Sequence, residues 1–138
     1  MEVQYHAIEK FPITPEEAIA LGEAGMQGAL PYLLATPNVP LKVGDSSFTL
    51  FVEDLRTFTA EQGAYDLIYF DAFAPSAQPE LWSDAIFENM YDLLSKGGIL
   101  TTYCAKGVVK RSMKAAGFEV EALPGPPRKR EMKRAWKR

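Results

Sequence analysis

One cysteine and one histidine are all that the 138 residues carry of the side chains most used for metal binding and nucleophilic catalysis. Cys104 has no partner for an intramolecular disulfide. Neither it nor His6 stands at a spacing that builds a zinc site or activates a nucleophile. Disulfide scaffolds, metal modules and thiol chemistry are not expected, and a reducing cytoplasm is the simplest location. Long apolar runs are missing too. The richest, Tyr65 to Ala74, falls far short of the roughly 20 residues a membrane-spanning helix needs, and Asp66 and Asp71 interrupt it. The amino terminus has no basic leader followed by an apolar stretch and a small-residue cleavage site, so export is not expected. With 47% hydrophobic and 24% charged residues, a chain of this length supports one core, and a single domain over residues 1–138 is expected.

Positive charge is scarce in most of the chain. Residues 1–104 hold 4 Lys or Arg against 15 Asp or Glu, a net charge of -11, whereas residues 105–138 hold 11 basic and 3 acidic residues, a net charge of +8. The overall value of -3 hides this asymmetry. Clustered positive charge suits a polyanionic partner, because binding to phosphates releases counterions and gives affinity independent of sequence. A solvated helix face with a basic tail would show the same composition.

What is present reads as alternating strands and helices. Val3 to Glu9 is a β-prone run ending in acid. Thr14-Pro15-Glu16-Glu17 is a helix start: Thr14 caps, Pro15 fits the first helical position and Glu17 completes a capping box. Glycines and prolines break Ala18 to Leu34 into helical pieces and make Thr36 to Asp45 a loop. Phe48 to Glu53 is the next strand, followed by acid and a helical stretch leading to Gly63. Leu67 to Phe70 then leads into Asp71, and its unbroken apolar run suits a strand buried on both faces. Ser83 to Leu94 is an amphipathic helix that Gly97-Gly98 stops, and Ile99 to Cys104 a strand. Val108 to Ala116 is a basic amphipathic helix, Glu119 to Leu123 a strand, and Lys129 to Trp136 a last strand after the turn-rich Pro124 to Pro127. The pattern predicts an open, mostly parallel α/β sheet with helices on both faces. Ligands of such sheets lie beyond the carboxyl ends of the strands, where Glu9, Asp54 and Asp71 all fall.

Each of those acids has a chemical use. A strand-end carboxylate such as Glu9 can accept from both hydroxyls of a ribose. Asp54 can accept from an adenine amino group while Leu55 packs on the ring, or it can simply cap the next turn. Asp71-Ala72-Phe73-Ala74-Pro75 is the sharpest local feature: an acid closes an apolar strand, Pro75 fixes the chain direction and Phe73 can offer a flat face to a planar substrate. A carboxylate at the end of a buried strand points to function, since burying it unpaired is costly. His6 and Trp82 read first as structural residues, and Gly97-Gly98 as a helix stop rather than a phosphate loop.

Ile8-Glu9-Lys10-Phe11-Pro12-Ile13-Thr14-Pro15-Glu16-Glu17, Asp71-Ala72-Phe73-Ala74-Pro75 with Pro79-Glu80-Leu81-Trp82, Ala115-Ala116-Gly117-Phe118-Glu119-Val120 and Arg128-Lys129-Arg130-Glu131-Met132 occur in that order over nearly the whole chain. Together they resemble the methyltransferase domain of the MnmC-type tRNA 5-methylaminomethyl-2-thiouridine methyltransferases. The resemblance implies a Rossmann-like class I three-layer sandwich that uses S-adenosyl-L-methionine to methylate the 5-aminomethyl nitrogen of a modified wobble uridine in tRNA. It implies that Glu9 and Lys10 meet the cofactor ribose region, that Asp54 and Leu55 meet the adenine, and that Asp71 stands catalytically where methyl donor and amine meet. Phe73, Pro75 and Trp82 would then contact the uracil, as single-stranded RNA readers stack bases on aromatic rings. Lys106, Lys110, Arg111, Lys114, Arg128, Lys129 and Arg130 would contact phosphates of the anticodon stem-loop.

The chain departs from this family in one large respect. Nothing before Val3 supplies the family's first strand and Gly-rich cofactor loop, and Gly22 to Gly28 comes too late to be that loop. In the usual order the missing strand lies between those ending at Glu9 and Asp71. Truncation is the expected cause; self-association or a second chain completing the sheet, and a rearranged sheet, are the alternatives. A methyltransferase of small-molecule acceptors and a non-catalytic RNA-binding remnant stay open as other functions.

Overall fold

The computed structural model describes residues 2–20, 29–104, 106–123 and 132–138. Two compact units divide the chain, residues 1–58 and 59–138.

In the first unit, strand β1 (Gln4–Ile8) is followed by helices α1 (Pro15–Ala20) and α2 (Ala29–Ala35) and a hairpin of β2 (Leu41–Val43) and β3 (Ser46–Phe51). The capping box forms as expected: the Glu17 amide donates to Thr14 Oγ1 at 3.0 Å, and Glu17 Oε1 accepts from the Thr14 amide at 3.1 Å. β1 runs parallel to β3 and β2 antiparallel to it, giving the order β1-β3-β2. The hairpin replaces the loop expected over Thr36 to Asp45. Gly44 at φ +61 occupies the first of two turn positions, and a glycine there lets so short a loop match the strand twist. Ala18, Leu33, Leu50 and Phe58 are buried.

The second unit contains β4 (Tyr65–Phe70), a short 3-10 turn (Pro79–Trp82), α3 (Asp84–Leu93), β5 (Leu94–Thr102), α4 (Gly107–Ala116), β6 (Glu119–Leu123) and β7 (Met132–Trp136). Its strand order is β4-β5-β7-β6, with β4 and β5 parallel and the other two pairings antiparallel. The two sheets are thus mixed, with two parallel and three antiparallel pairings among the described strands, where a mostly parallel sheet was expected. The two-residue turn between β2 and β3 makes that pair antiparallel, whereas β7 enters antiparallel between β5 and β6 after the chain has passed through α4 and β6.

Ser83 caps α3, its hydroxyl accepting from the Ile86 amide at 3.4 Å, and Ile86, Phe87, Met90 and Leu93 bury the face that the sequence spacing marks. α4 buries Val109, Ser112 and Met113 and ends at Gly117. Gly97-Gly98 does not stop α3, which ends four residues earlier. The pair lies inside β5 beside a register shift between Tyr65 and Leu67. A side chain at position 98 would meet the Ser95 carbonyl at 2.8 Å and the Asp66 carbonyl at 3.2 Å, so the backbones come together where a Cβ does not fit.

β1 and β4 each stand at the end of their own sheet. Each pairs with one neighbour among the described residues. The expectation that β4 is buried on both faces is corrected accordingly: Phe70 is buried, but Leu67 and Tyr69 on the opposite face are exposed.

Candidate functional site

At the carboxyl end of β1 the Glu9 amide extends the ladder, donating to the Phe51 carbonyl at 2.9 Å. The side chain is exposed. Glu9 Oε1 accepts from the Phe11 amide at 3.2 Å, which fixes the carboxylate while leaving acceptor capacity for hydroxyl donors. Lys10 reaches Asp54, Nζ to Oδ2 at 3.2 Å. Asp54, just past β3, is far more engaged. The Arg56 guanidinium spans both its oxygens at 2.7–3.1 Å and the Arg56 amide donates to Oδ1 at 2.9 Å. These bonds, the Arg56 side chain first and its amide second, hold the Asp54 carboxyl well below the usual carboxylate range. The segment after it is a turn, closed by Thr57 N–H to the Asp54 carbonyl at 3.0 Å, and not the expected helix. Leu55 is half-buried there. Of the two acids, Glu9 has the open acceptor oxygen that a ribose diol requires.

In the second unit Asp71 follows β4 and is exposed. Its carboxylate is therefore not the buried charge that the apolar strand suggested. It is presented to solvent at a strand end, beside a Phe73 ring that is 74% exposed. Pro75 is half-buried in the same loop. Trp82 is buried rather than offered for stacking. Its indole N–H donates to the Phe73 carbonyl at 2.7 Å, and its ring packs at 5.0 Å from Phe70 and 6.2 Å from Phe87. Two residues around this loop carry no signal in the sequence. Gln78 Oε1 accepts from the Phe73 amide at 3.0 Å, and the Tyr103 hydroxyl donates to the Ala72 carbonyl at 2.6 Å. Desolvation, then the nearby Cys104 and Asp71, push the Tyr103 phenol up, so it remains a donor at neutral pH.

Lys106, Lys110 and Lys114 recur at helical spacing on α4 and its amino-terminal cap, with Arg111 beside them; Lys106, Arg111 and Lys114 are exposed and Lys110 half-buried, while Val109, Ser112 and Met113 are buried. None of the four cations forms an ion pair among the described residues. Arg128, Lys129 and Arg130 lie outside the described residues. Further along, Arg134 pairs with Glu121 and Arg138 with Glu119, so those basic side chains answer acids of β6. His6 stacks edge-on against Phe51 at 5.1 Å. Among the described residues no cluster of three metal-ligating side chains occurs, and no helix is long and apolar enough to cross a membrane. A polar concavity of about 350 Å³ lined by Gln4, Lys42 and Ser46 lies at the amino-terminal ends of β1 and β3, away from the strand-end acids of the same unit.

The family model of S-adenosyl-L-methionine-dependent methyltransferases matches residues 22–138. A tRNA 5-methylaminomethyl-2-thiouridine biosynthesis bifunctional protein, MnmC, of Pseudoalteromonas atlantica is 50% identical over 74 residues, covering 54% of this chain and 10% of that protein. The MnmC protein of Chromobacterium violaceum is 32% identical across 97% of this chain and 22% of its own length. The chain thus spans about a fifth or less of these curated relatives. The solved structure of MNMC2 from Aquifex aeolicus superposes with a TM-score of 0.76 at 20% identity, over 99% of this chain and 44% of that one. A 16S rRNA (adenine(1408)-N(1))-methyltransferase from Catenulisporales acidiphilia superposes at 0.55 and 11% identity, over 99% and 84% of the two chains. These likenesses give the fold as that of a class I methyltransferase. With the family model spanning most of its length, the chain belongs to the S-adenosyl-L-methionine-dependent methyltransferases.

Proposed function

We propose that this chain methylates the 5-aminomethyl nitrogen of the modified wobble uridine of tRNA, with residues 1–138 acting as one methyltransferase domain. The observation that carries the reading is the exposed Asp71 carboxylate at the end of β4, next to an exposed Phe73 ring, in a chain whose relatives are named for that tRNA modification. Bound S-adenosyl-L-methionine supplies an electrophilic methyl group. Glu9 holds the ribose through its free acceptor oxygen, with Lys10 beside it. Asp54 and Leu55 would serve the adenine, with Arg56 keeping the Asp54 carboxylate in place.

Asp71 accepts an N–H of the substrate amine, which aims the nitrogen lone pair and stabilises the positive charge that develops there. Phe73 stacks on the uracil, with Pro75 behind it. Trp82 serves the substrate by fixing the Phe73 backbone. Lys106, Lys110, Arg111 and Lys114, together with Arg128, Lys129 and Arg130, meet phosphates of the anticodon stem-loop. A cytoplasmic location follows from that substrate.

The experiment is methyl transfer from labelled S-adenosyl-L-methionine to tRNA lacking the modification, with the salt dependence of tRNA binding measured alongside. Label in tRNA and binding that weakens steeply with salt are expected. Transfer to a small amine without detectable tRNA binding at low salt would support the small-acceptor function instead. Salt-sensitive tRNA binding without cofactor binding would support a non-catalytic RNA-binding role.

A further inference from the structure

The loop that carries Asp71 is held by side chains from outside it. The Tyr103 hydroxyl donates to the Ala72 carbonyl at 2.6 Å, the Trp82 indole donates to the Phe73 carbonyl at 2.7 Å, and Gln78 accepts from the Phe73 amide at 3.0 Å. The Ala74 carbonyl accepts from the amides of Ala77 and Gln78 at 2.8 and 2.9 Å. Three successive carbonyls therefore each have a donor inside the protein, which fixes the course of the loop backbone. Asp71 is left as the open anionic acceptor of the segment.

The holders come from different elements. Tyr103 follows β5, whose register pairs Phe70 with Thr102, so Tyr103 and Asp71 leave neighbouring parallel strands side by side. Trp82 closes the 3-10 turn, and its ring meets that of Tyr103 edge-on at 6.2 Å. Tyr103 and Trp82 thereby brace each other as well as the loop.

Deepening the role proposed for Asp71 and resting on it, we propose that Tyr103 is a positioning residue of the acceptor site, fixing Asp71 by holding the Ala72 carbonyl from the end of the adjacent strand. Trp82 and Gln78 complete the brace one residue further on. Removing the phenol oxygen removes one of the loop's three side-chain anchors while leaving the ring, and so the packing against Trp82, in place. The Asp71 carboxylate then samples a wider range of positions, which costs turnover and leaves cofactor affinity alone.

The test is Tyr103→Phe in the full chain, read by amide hydrogen exchange and by methyl transfer. The Phe73 amide should exchange about tenfold faster, the scale of one lost hydrogen bond, while Leu100 in the core of β5 keeps its protection. In turnover, kcat should fall about tenfold with the dissociation constant of S-adenosyl-L-methionine unchanged. Unaltered Phe73 exchange overturns the brace, and so does unaltered kcat in a chain whose Asp71→Ala variant is dead. Faster exchange at Leu100 as well shows a general loosening and also overturns it. A wild-type chain that transfers no methyl group contradicts the methyltransferase reading instead, and the exchange result still decides whether Tyr103 holds the loop.

Discussion

Asp71 and Glu9 are both exposed strand-end acids, and they separate by what a substitution should cost. Asp71→Ala removes a solvated carboxylate, so unfolding free energy should change by no more than about 0.5 kcal/mol while methyl transfer is lost; chemical denaturation paired with a turnover assay checks both. Glu9→Ala should weaken cofactor affinity about tenfold to hundredfold, the range of a charge-assisted hydrogen bond, as measured by calorimetry. Asp54 behaves differently, because Arg56 and Lys10 hold its carboxyl in the ionised form. A depressed folded-state pKa contributes stability above the unfolded value and loses it only as pH falls through the folded value. Asp54 should therefore show no carbon-13 titration as pH falls through 3.8, the ordinary value for this side chain, whereas Asp54 in the denatured chain should titrate there.

At the scale of elements, the sequence was legible where local chemistry decides the outcome. The capping box at Thr14 and Glu17, the buried stripe of α3 and the limits of β6 all follow from residues close together in the chain. Gly97-Gly98 misleads because a glycine pair after an apolar helix has the signature of a helix stop, and only the close approach of the Asp66 backbone shows its use inside β5. Gly98→Ala should consequently destabilise the protein by about 1–3 kcal/mol, as forced overpacking does, visible as a lower urea midpoint. The Tyr103 brace was illegible for a related reason. Its partner lies 31 residues away, and nothing but the β4–β5 register brings the two together. The strand-end acids could be found as a pattern, but the state of each carboxylate depends on neighbours that the pattern does not name. Asp54 is saturated, Glu9 half-engaged and Asp71 open.

At the scale of the whole molecule, charge asymmetry and cofactor use bear on the same chemistry. The lysines of α4 and its cap form no ion pair among the described residues, so replacing Lys106, Lys110 and Lys114 with Gln should weaken tRNA binding and reduce the slope of log affinity against log salt by roughly 0.7–0.9 for each phosphate left unneutralised. Family membership rests on a match covering residues 22–138, while among the described residues β1 and β4 each pair with a single strand of their own sheet. Whether this chain holds its cofactor is thus the point at which sequence, fold and proposed chemistry meet. The measurement that tests it most directly is calorimetric titration of the folded 138-residue chain with S-adenosyl-L-methionine. Saturable micromolar binding that Glu9→Ala weakens and Asp71→Ala leaves intact is the predicted result; a folded chain that binds none would contradict it.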